Sequence, residues 1–308
     1  MSERLEAKQT LGDYEILSTI KTGGMREVLM GRKQGVFGFE KLVAIKTIRS
    51  DLRKHEDLKK LFSEFEFSSM LAVLGDGSEE TSKTTEPLKK KYETVLTEAA
   101  FNKWIKKLKK NKIFALYLET TSLRPVQARA VGISFSCNKG EACYIPLGHS
   151  YLGMPDQLGV DWVFDKLKPI LEDPKIKKVG QNIKYDYIVL KNEGIDLRGI
   201  VFDTMLASYL LNPSSRGHNM DALALEHLGH TTIKYKDLVG TASKEIGFDE
   251  VEVERATDYA AEDADITWRL YEKLSASLKG EDFKIFEKLE LPLLEAVSYT
   301  HLTLPTKA

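Results

Sequence analysis

Residues 112–123 read KIFALYLETTSL, an apolar and aromatic run that gives way at Glu119 to a polar turn. A run of this composition bounded by turn signals reads as a strand, with Glu119 at its end, pointing off the sheet. Two more such runs follow, ARAVGISFSC at 128–137 and EACYIPLG at 141–148. Three strands in succession predict an antiparallel meander at the start of a domain. Further on the period changes. DWVFDKLKPILED (161–173), YDYIVLKNEG (185–194) and NMDALALEHLG (219–229) carry apolar residues at helical spacing and end on Asp or Gly.

Two further acidic segments follow Glu119: VGQNIKYD (179–186), ending at Asp186, and the helical YAAEDAD (259–265), with Tyr259 and Asp263. Their carboxylates lie 67 (186 − 119) and 77 (263 − 186) residues apart, so only a fold could gather them. Tyr259 and Asp263 are four apart and share one helix face. Taken singly, a Glu on a strand or an Asp in a helix is usually a solvated surface group. Together they suit phosphodiester hydrolysis, in which two divalent ions about 4 Å apart clamp the attacking and leaving oxygens. Hard ions of this kind are held by carboxylate oxygens.

From about Lys89 to Val297 the chain resembles the proofreading 3′-to-5′ exonuclease domain of family A DNA polymerases, the bacterial DNA polymerase I type. The likeness runs through YETVLT (92–97), VGISFS (131–136), YIPLGHSYLGMPDQ (144–157), LKPILEDPKIKKVGQNIKYD (167–186), GIDLRGIVFDTMLASYLLNP (194–213), GHNMDALA (217–224) and YAAEDADIT (259–267). It implies an α/β, ribonuclease H-like fold, a mixed sheet with helices on both faces. It also implies two Mg2+ or Mn2+ ions held by Glu119, Asp186 and Asp263, with Tyr259 and Glu119 orienting the attacking water. Single-stranded or frayed DNA 3′ ends are the implied partner. Leu123, Asn182 and Tyr235 fall at positions that hold the terminal nucleotide, with ordinary core packing as the alternative for Leu123 and Tyr235. The family's first motif is Asp-x-Glu, and the Asp position holds Tyr117 here. A neutral phenol is a poor ligand for a hard cation. The expectation is therefore an inherited but impaired site on a solvent-accessible cleft, with an inactive DNA-binding module or a chimeric fragment as alternatives.

Residues 1–74 are of another kind. YEILSTIKTGGMREVLMGRKQGVFGFEKLVAIKTI (14–48) resembles the amino-terminal lobe of bacterial serine/threonine kinases, with a glycine turn at Gly23 and Gly24 and a strand ending in Lys46. The resemblance implies a small α+β fragment with vestigial nucleotide-binding residues, followed by a helix over 61–71 offering Glu64 or Glu66 to Lys46. Kinase catalysis is not expected, because the His-Arg-Asp, Asp-Phe-Gly and Ala-Pro-Glu segments that supply base and metal ligands do not occur in the residues that follow.

The polar stretch 75–91, GDGSEETSKTTEPLKKK, reads as a linker, which leaves 92–297 for the exonuclease domain and SYTHLTLPTKA (298–308) as an unrelated, non-helical tail. A net charge of −1 over 308 residues gives no overall nucleic-acid signature, so DNA binding would need a local surface. The lysines from Lys103 to Lys112 read as a solvated helix face rather than a phosphate patch. His149, His218, His227 and His230 have no ligand spacing and read as structural. Two cysteines, Cys137 and Cys143, read as reduced thiols. The absence of a long apolar run argues against membrane insertion and makes a cytoplasmic protein the expectation.

Overall fold

The computed structural model describes residues 10–11, 14–22, 26–34, 40–48, 90–215, 217–240 and 245–303, and the chain divides into two units, 1–85 and 86–308. In the first unit, β1 (Thr10–Leu11), β2 (Tyr14–Thr22), β3 (Arg26–Gln34) and β4 (Glu40–Ile48) pair in sequence order, each antiparallel to the next. Lys46 is exposed on β4, opposite Val28. Gly23, Gly24 and the expected helix over 61–71 lie outside the described residues.

The second unit opens with β5 (Lys91–Thr94), α1 (Glu98–Asn111), β6 (Ile113–Thr120), β7 (Ala130–Asn138) and β8 (Glu141–Pro146). It continues with α2 (Val160–Leu171), β9 (Lys177–Gly180), α3 (Lys184–Asn192), β10 (Ile200–Asp203), α4 (Thr204–Leu211), α5 (Met220–Leu228) and α6 (Tyr235–Val239). A short turn of 3-10 helix, Phe248–Glu250, precedes α7 (Val253–Ser277), α8 (Gly280–Ile285) and α9 (Leu291–Thr303). The sheet order is β10-β9-β6-β7-β8-β5. The predicted meander is present: β7 runs antiparallel to both β6 and β8. The remaining pairs, β6 with β9, β9 with β10 and β5 with β8, are parallel.

Alternation along β6 separates two cores. Phe114, Leu116 and Leu118 turn to one face and join Phe101, Trp104 and Leu108 of α1 and Phe164 and Leu167 of α2. Ala115 and Tyr117 turn to the other face and join Ile266, Leu270 and Leu274 of α7. Successive strand residues point to opposite sides, so Glu119 shares the α7 face with Tyr117. The 25-residue α7 contains neither Gly nor Pro and crosses β5 to β9. Its buried alanines at 256, 260, 261 and 264 let the helix lie close to the strands.

Two expected boundaries are corrected. The predicted linker stops short of Lys91, which opens β5 because the edge of β8 offers it backbone partners, and Lys90 already bonds Glu262 at 2.7 Å. The non-helical tail is also corrected, since α9 runs through Ser298 to Thr303. Ser298 is buried, its hydroxyl donating to the Leu294 carbonyl at 2.7 Å, and each added residue extends an existing helix by one backbone bond. Cys137 and Cys143 are buried free thiols. Among the described residues no helix is long and apolar enough to cross a membrane.

Candidate active site

Strand β9 pairs with β6 only as far as Ala115, which leaves the later part of that edge open. The Leu118 N–H there donates to Asp186 Oδ1 at 2.8 Å. A side chain from the first turn of α3 thus continues the sheet's hydrogen bonding, and the sequence before it explains how. Any Cβ at Gly180 would come within 2.6 Å of Ile183 Cβ. Asn182 adopts a left-handed conformation, φ 53°, which Asn tolerates better than most residues. Asp203 then locks the turn: its Oδ2 accepts from Ile183 N at 2.8 Å, and its Oδ1 accepts from Met205 N and Leu206 N at the head of α4.

Glu119 arrives on β6 and Asp263 on α7. With Asp186 they are 6%, 4% and 2% exposed, so the expected open cleft is corrected to a buried acidic centre. Burial, then Asp263 and Asp186, push the Glu119 carboxyl well above the usual carboxylate range. Burial does the same to Asp263, helped by Glu262 and Asp221 and opposed by the Tyr259 hydroxyl. Asp186 is raised by burial against the stabilising Leu118 N–H. The half-buried Tyr117 phenol is pushed far up, first by burial and then by Asp263, Glu119 and Asp186. It is neutral and lies in the field of all three carboxylates.

Of the acids in the run Glu262-Asp263-Ala264-Asp265, only Asp263 keeps a buried oxygen without a hydrogen-bond partner. Glu262 Oε1 accepts from Lys90 Nζ at 2.7 Å and lies 3.0 Å from His230 Nε2, while its Oε2 accepts from Ile233 N at 2.7 Å. Asp265 accepts from Gly140 N at 2.6 Å and from the Tyr92 hydroxyl at 3.0 Å. These two residues fix α7 to its neighbours. Glu119 Oε1 and Asp263 Oδ2, by contrast, are buried without any hydrogen-bond partner.

Around this centre stand the other sequence-predicted residues. Tyr259 packs 6.2 Å from Tyr235 and 6.0 Å from Phe248, which is in turn stacked 6.2 Å from Tyr235. Tyr235 is 41% exposed and Leu123 94% exposed, which removes the core-packing alternative for Leu123. Asn182 is exposed as well. The Tyr185 hydroxyl bonds Thr120 Oγ1 and the Ser122 carbonyl, tying down the turn that presents Leu123. Sequence reasoning missed Tyr185, Asp203, Glu262 and Asp265, although a Tyr directly before Asp186 was a visible signal. The lysines of α1 stand on a helix that packs against the opposite face of the sheet, and Lys107 pairs with Glu141 at 2.6 Å.

Among the described residues no three His, Cys, Asp or Glu side chains are spaced to hold a metal ion. Asp186 is turned to Leu118, and Tyr117 supplies no carboxylate. The bare oxygens of Glu119 and Asp263 nonetheless fit a hard cation. A buried acceptor without a partner is costly, and two on neighbouring carboxylates are matched by one shared positive charge.

Comparison with known proteins bears on the fold and the family. The family model for 3′-5′ exonucleases matches residues 92–279. The chain is 42% identical over 254 residues to DNA polymerase I of Pseudomonas aeruginosa, covering 80% of this chain and 28% of the relative. It is 38% identical over 226 residues to DNA polymerase I of Rhizobium leguminosarum, covering 67% and 22%. It thus spans less than a third of either relative. In fold it is similar to Trypanosoma brucei RNase D, with a TM-score of 0.51 at 16% identity over 70% of this chain and 72% of that one. It is also similar to the POL domain of Pol1 from M. smegmatis, with a TM-score of 0.52 at 18% identity over 67% and 31%. The ribonuclease H-like α/β sheet, the ordered acidic motifs and the family match together place the chain in the 3′-5′ exonuclease family, as an exonuclease domain of the DNA polymerase I type.

Proposed function

We propose that residues 92–297 act as a 3′-to-5′ exonuclease on single-stranded or frayed DNA, slowed by Tyr117. The observation that carries this is the pair of buried, unpartnered oxygens Glu119 Oε1 on β6 and Asp263 Oδ2, the latter four residues along α7 from Tyr259. Mg2+ or Mn2+, when bound, supplies charge to the phosphodiester oxygens and makes the attacking water more acidic. Glu119 and Asp263 would hold one ion and Asp186 would serve a second. Tyr259 and Glu119 orient the water. Leu123, Asn182 and the exposed ring of Tyr235 hold the terminal nucleotide, the ring by stacking worth about 1 to 3 kcal/mol. Tyr117 stands where a shared carboxylate is needed and offers a neutral hydroxyl instead. Proofreading within a longer polymerase in the cytoplasm is the wider reading. Residues 1–74 are proposed as a kinase-lobe-like fragment of no catalytic role; tight ATP binding abolished by Lys46→Ala would contradict this.

A second reading, a DNA-binding module with negligible turnover, is favoured by Tyr117. The two separate on a 5′-labelled single-stranded DNA incubated in Mn2+, read beside fluorescence anisotropy on the same oligonucleotide. A ladder shortening from the 3′ end that vanishes in Asp263→Ala supports the exonuclease. Binding with no ladder, in the chain and in Tyr117→Asp alike, supports the binding module. Neither binding nor digestion refutes both.

A further inference from the structure

Behind Glu119 lies a buried contact chain that the reaction does not use directly. Glu119 on β6 pairs in register with Gly132 on β7. Gly132 carries no side chain because Tyr144 lies on it: a Cβ there would come within 2.2 Å of the Tyr144 hydroxyl. Tyr144 is fully buried, and burial followed by the Glu119 charge holds its phenol protonated. That hydroxyl lies 2.8 Å from His149 Nε2, while His149 Nδ1 lies 2.9 Å from the Val251 carbonyl. A carbonyl can only accept, so Nδ1 carries the imidazole proton and Nε2 accepts from Tyr144. Burial lowers the His149 pKa, in keeping with this neutral form. Gln157 clamps the His149 backbone from both sides, its Oε1 accepting from His149 N at 2.9 Å and its Nε2 donating to His149 O at 2.8 Å.

The chain ends where the other half of the site begins. Val251 stands two residues before α7, the helix that carries Tyr259 and Asp263. The His149 ring also lies 6.0 Å from Phe248, which itself lies 6.0 Å from Tyr259. One imidazole therefore touches the strand-side support of Glu119 and the helix-side support of Tyr259.

We propose that Tyr144 and His149 are positioning residues that set the spacing of Glu119 against Tyr259 and Asp263, and hence the affinity of the centre for a divalent ion. This rests on the exonuclease reading above. Loss of groups that orient a metal's ligands costs about 10- to 100-fold in metal affinity or activity. Tyr144→Phe keeps the ring on Gly132 and removes only the bond to His149. His149→Leu removes both bonds. His149→Gln keeps an acceptor for Tyr144 and a donor for Val251.

The test is Mn2+ titration by electron paramagnetic resonance, on the full chain and on Tyr117→Asp, with melting curves to confirm folding and anisotropy to follow single-stranded DNA. The expected result is at least about tenfold weaker Mn2+ binding in folded Tyr144→Phe and His149→Leu, near-parent binding in His149→Gln, and unchanged DNA affinity. Equal Mn2+ binding in the parent and in folded Tyr144→Phe overturns the positioning role while leaving the exonuclease reading standing. Absence of any specific Mn2+ site in both parent backgrounds overturns both.

Discussion

The substitution Tyr117→Asp tests the centre from within. Tyr117 stands two residues before Glu119 on β6, half-buried among the apolar residues that face α7. Removing a fully buried aromatic ring costs about 3 to 5 kcal/mol, so a half-buried one should cost roughly 2. The new carboxylate joins three others. Two unit charges about 4 Å apart repel by roughly 4 kcal/mol at an effective dielectric constant near 20, and proton uptake caps that cost. Without metal the variant should therefore melt well below the parent, losing several of the roughly 5 to 15 kcal/mol that hold a domain together. Mn2+ at about one hundred times its dissociation constant returns about 2.7 kcal/mol, so the variant's melting point should climb steeply with Mn2+. The parent's should climb less. A shared ligand that recovers roughly 3 kcal/mol of transition-state stabilisation raises the rate by about two orders of magnitude, at tenfold per 1.36 kcal/mol. The assay is release of mononucleotides from a labelled 3′ end, alongside melting curves with and without Mn2+. Equal rates and equal Mn2+ responses in the two proteins would refute the role given to Tyr117.

Two further outcomes follow from buried charge. Glu119→Gln should melt higher than the parent in the absence of divalent ions. Because folding raises the Glu119 pKa above its ordinary 4.5, the folded chain holds the proton longer, and parent stability falls as pH rises from about 4.5 towards the folded value. The gap between the two melting points should widen from pH 4.5 to pH 8, and a constant gap would rule out an uncompensated charge at this position. Lys178, fully buried on β9 with its amine donating to the Asp173 carbonyl at 2.7 Å, has its pKa lowered by burial from 10.5 to about 8. Between those values the unfolded chain binds the extra proton, so stability rises with pH. Lys178→Met should lose that rise, and denaturant midpoints from pH 8 to 10.5 that stay parallel in the two proteins would contradict it.

What the sequence settled was local. The meander, the helical periods and the shared face of Tyr259 and Asp263 all follow from alternation and turn chemistry within a few residues, and they were legible before any coordinates. Gly23 and Gly24, where the sequence places the glycine turn of the first unit, lie outside the described residues. The sequence also showed that Tyr117 occupies the position where the family's first motif has its Asp. It singled out Asp263 by its spacing from Tyr259, but it could not show what occupies the neighbouring Glu262 and Asp265. Tertiary partners decided it: Lys90, His230 and Ile233 take up Glu262, Gly140 and Tyr92 take up Asp265, and Asp263 Oδ2 is left bare. The same holds for Asp186, which bonds a strand edge 68 residues away, and for His149, which reads as an isolated structural histidine until Tyr144 and Val251 flank it. Hydrogen bonds and burial are properties of the space around a side chain, and that space is filled by residues far off in the chain.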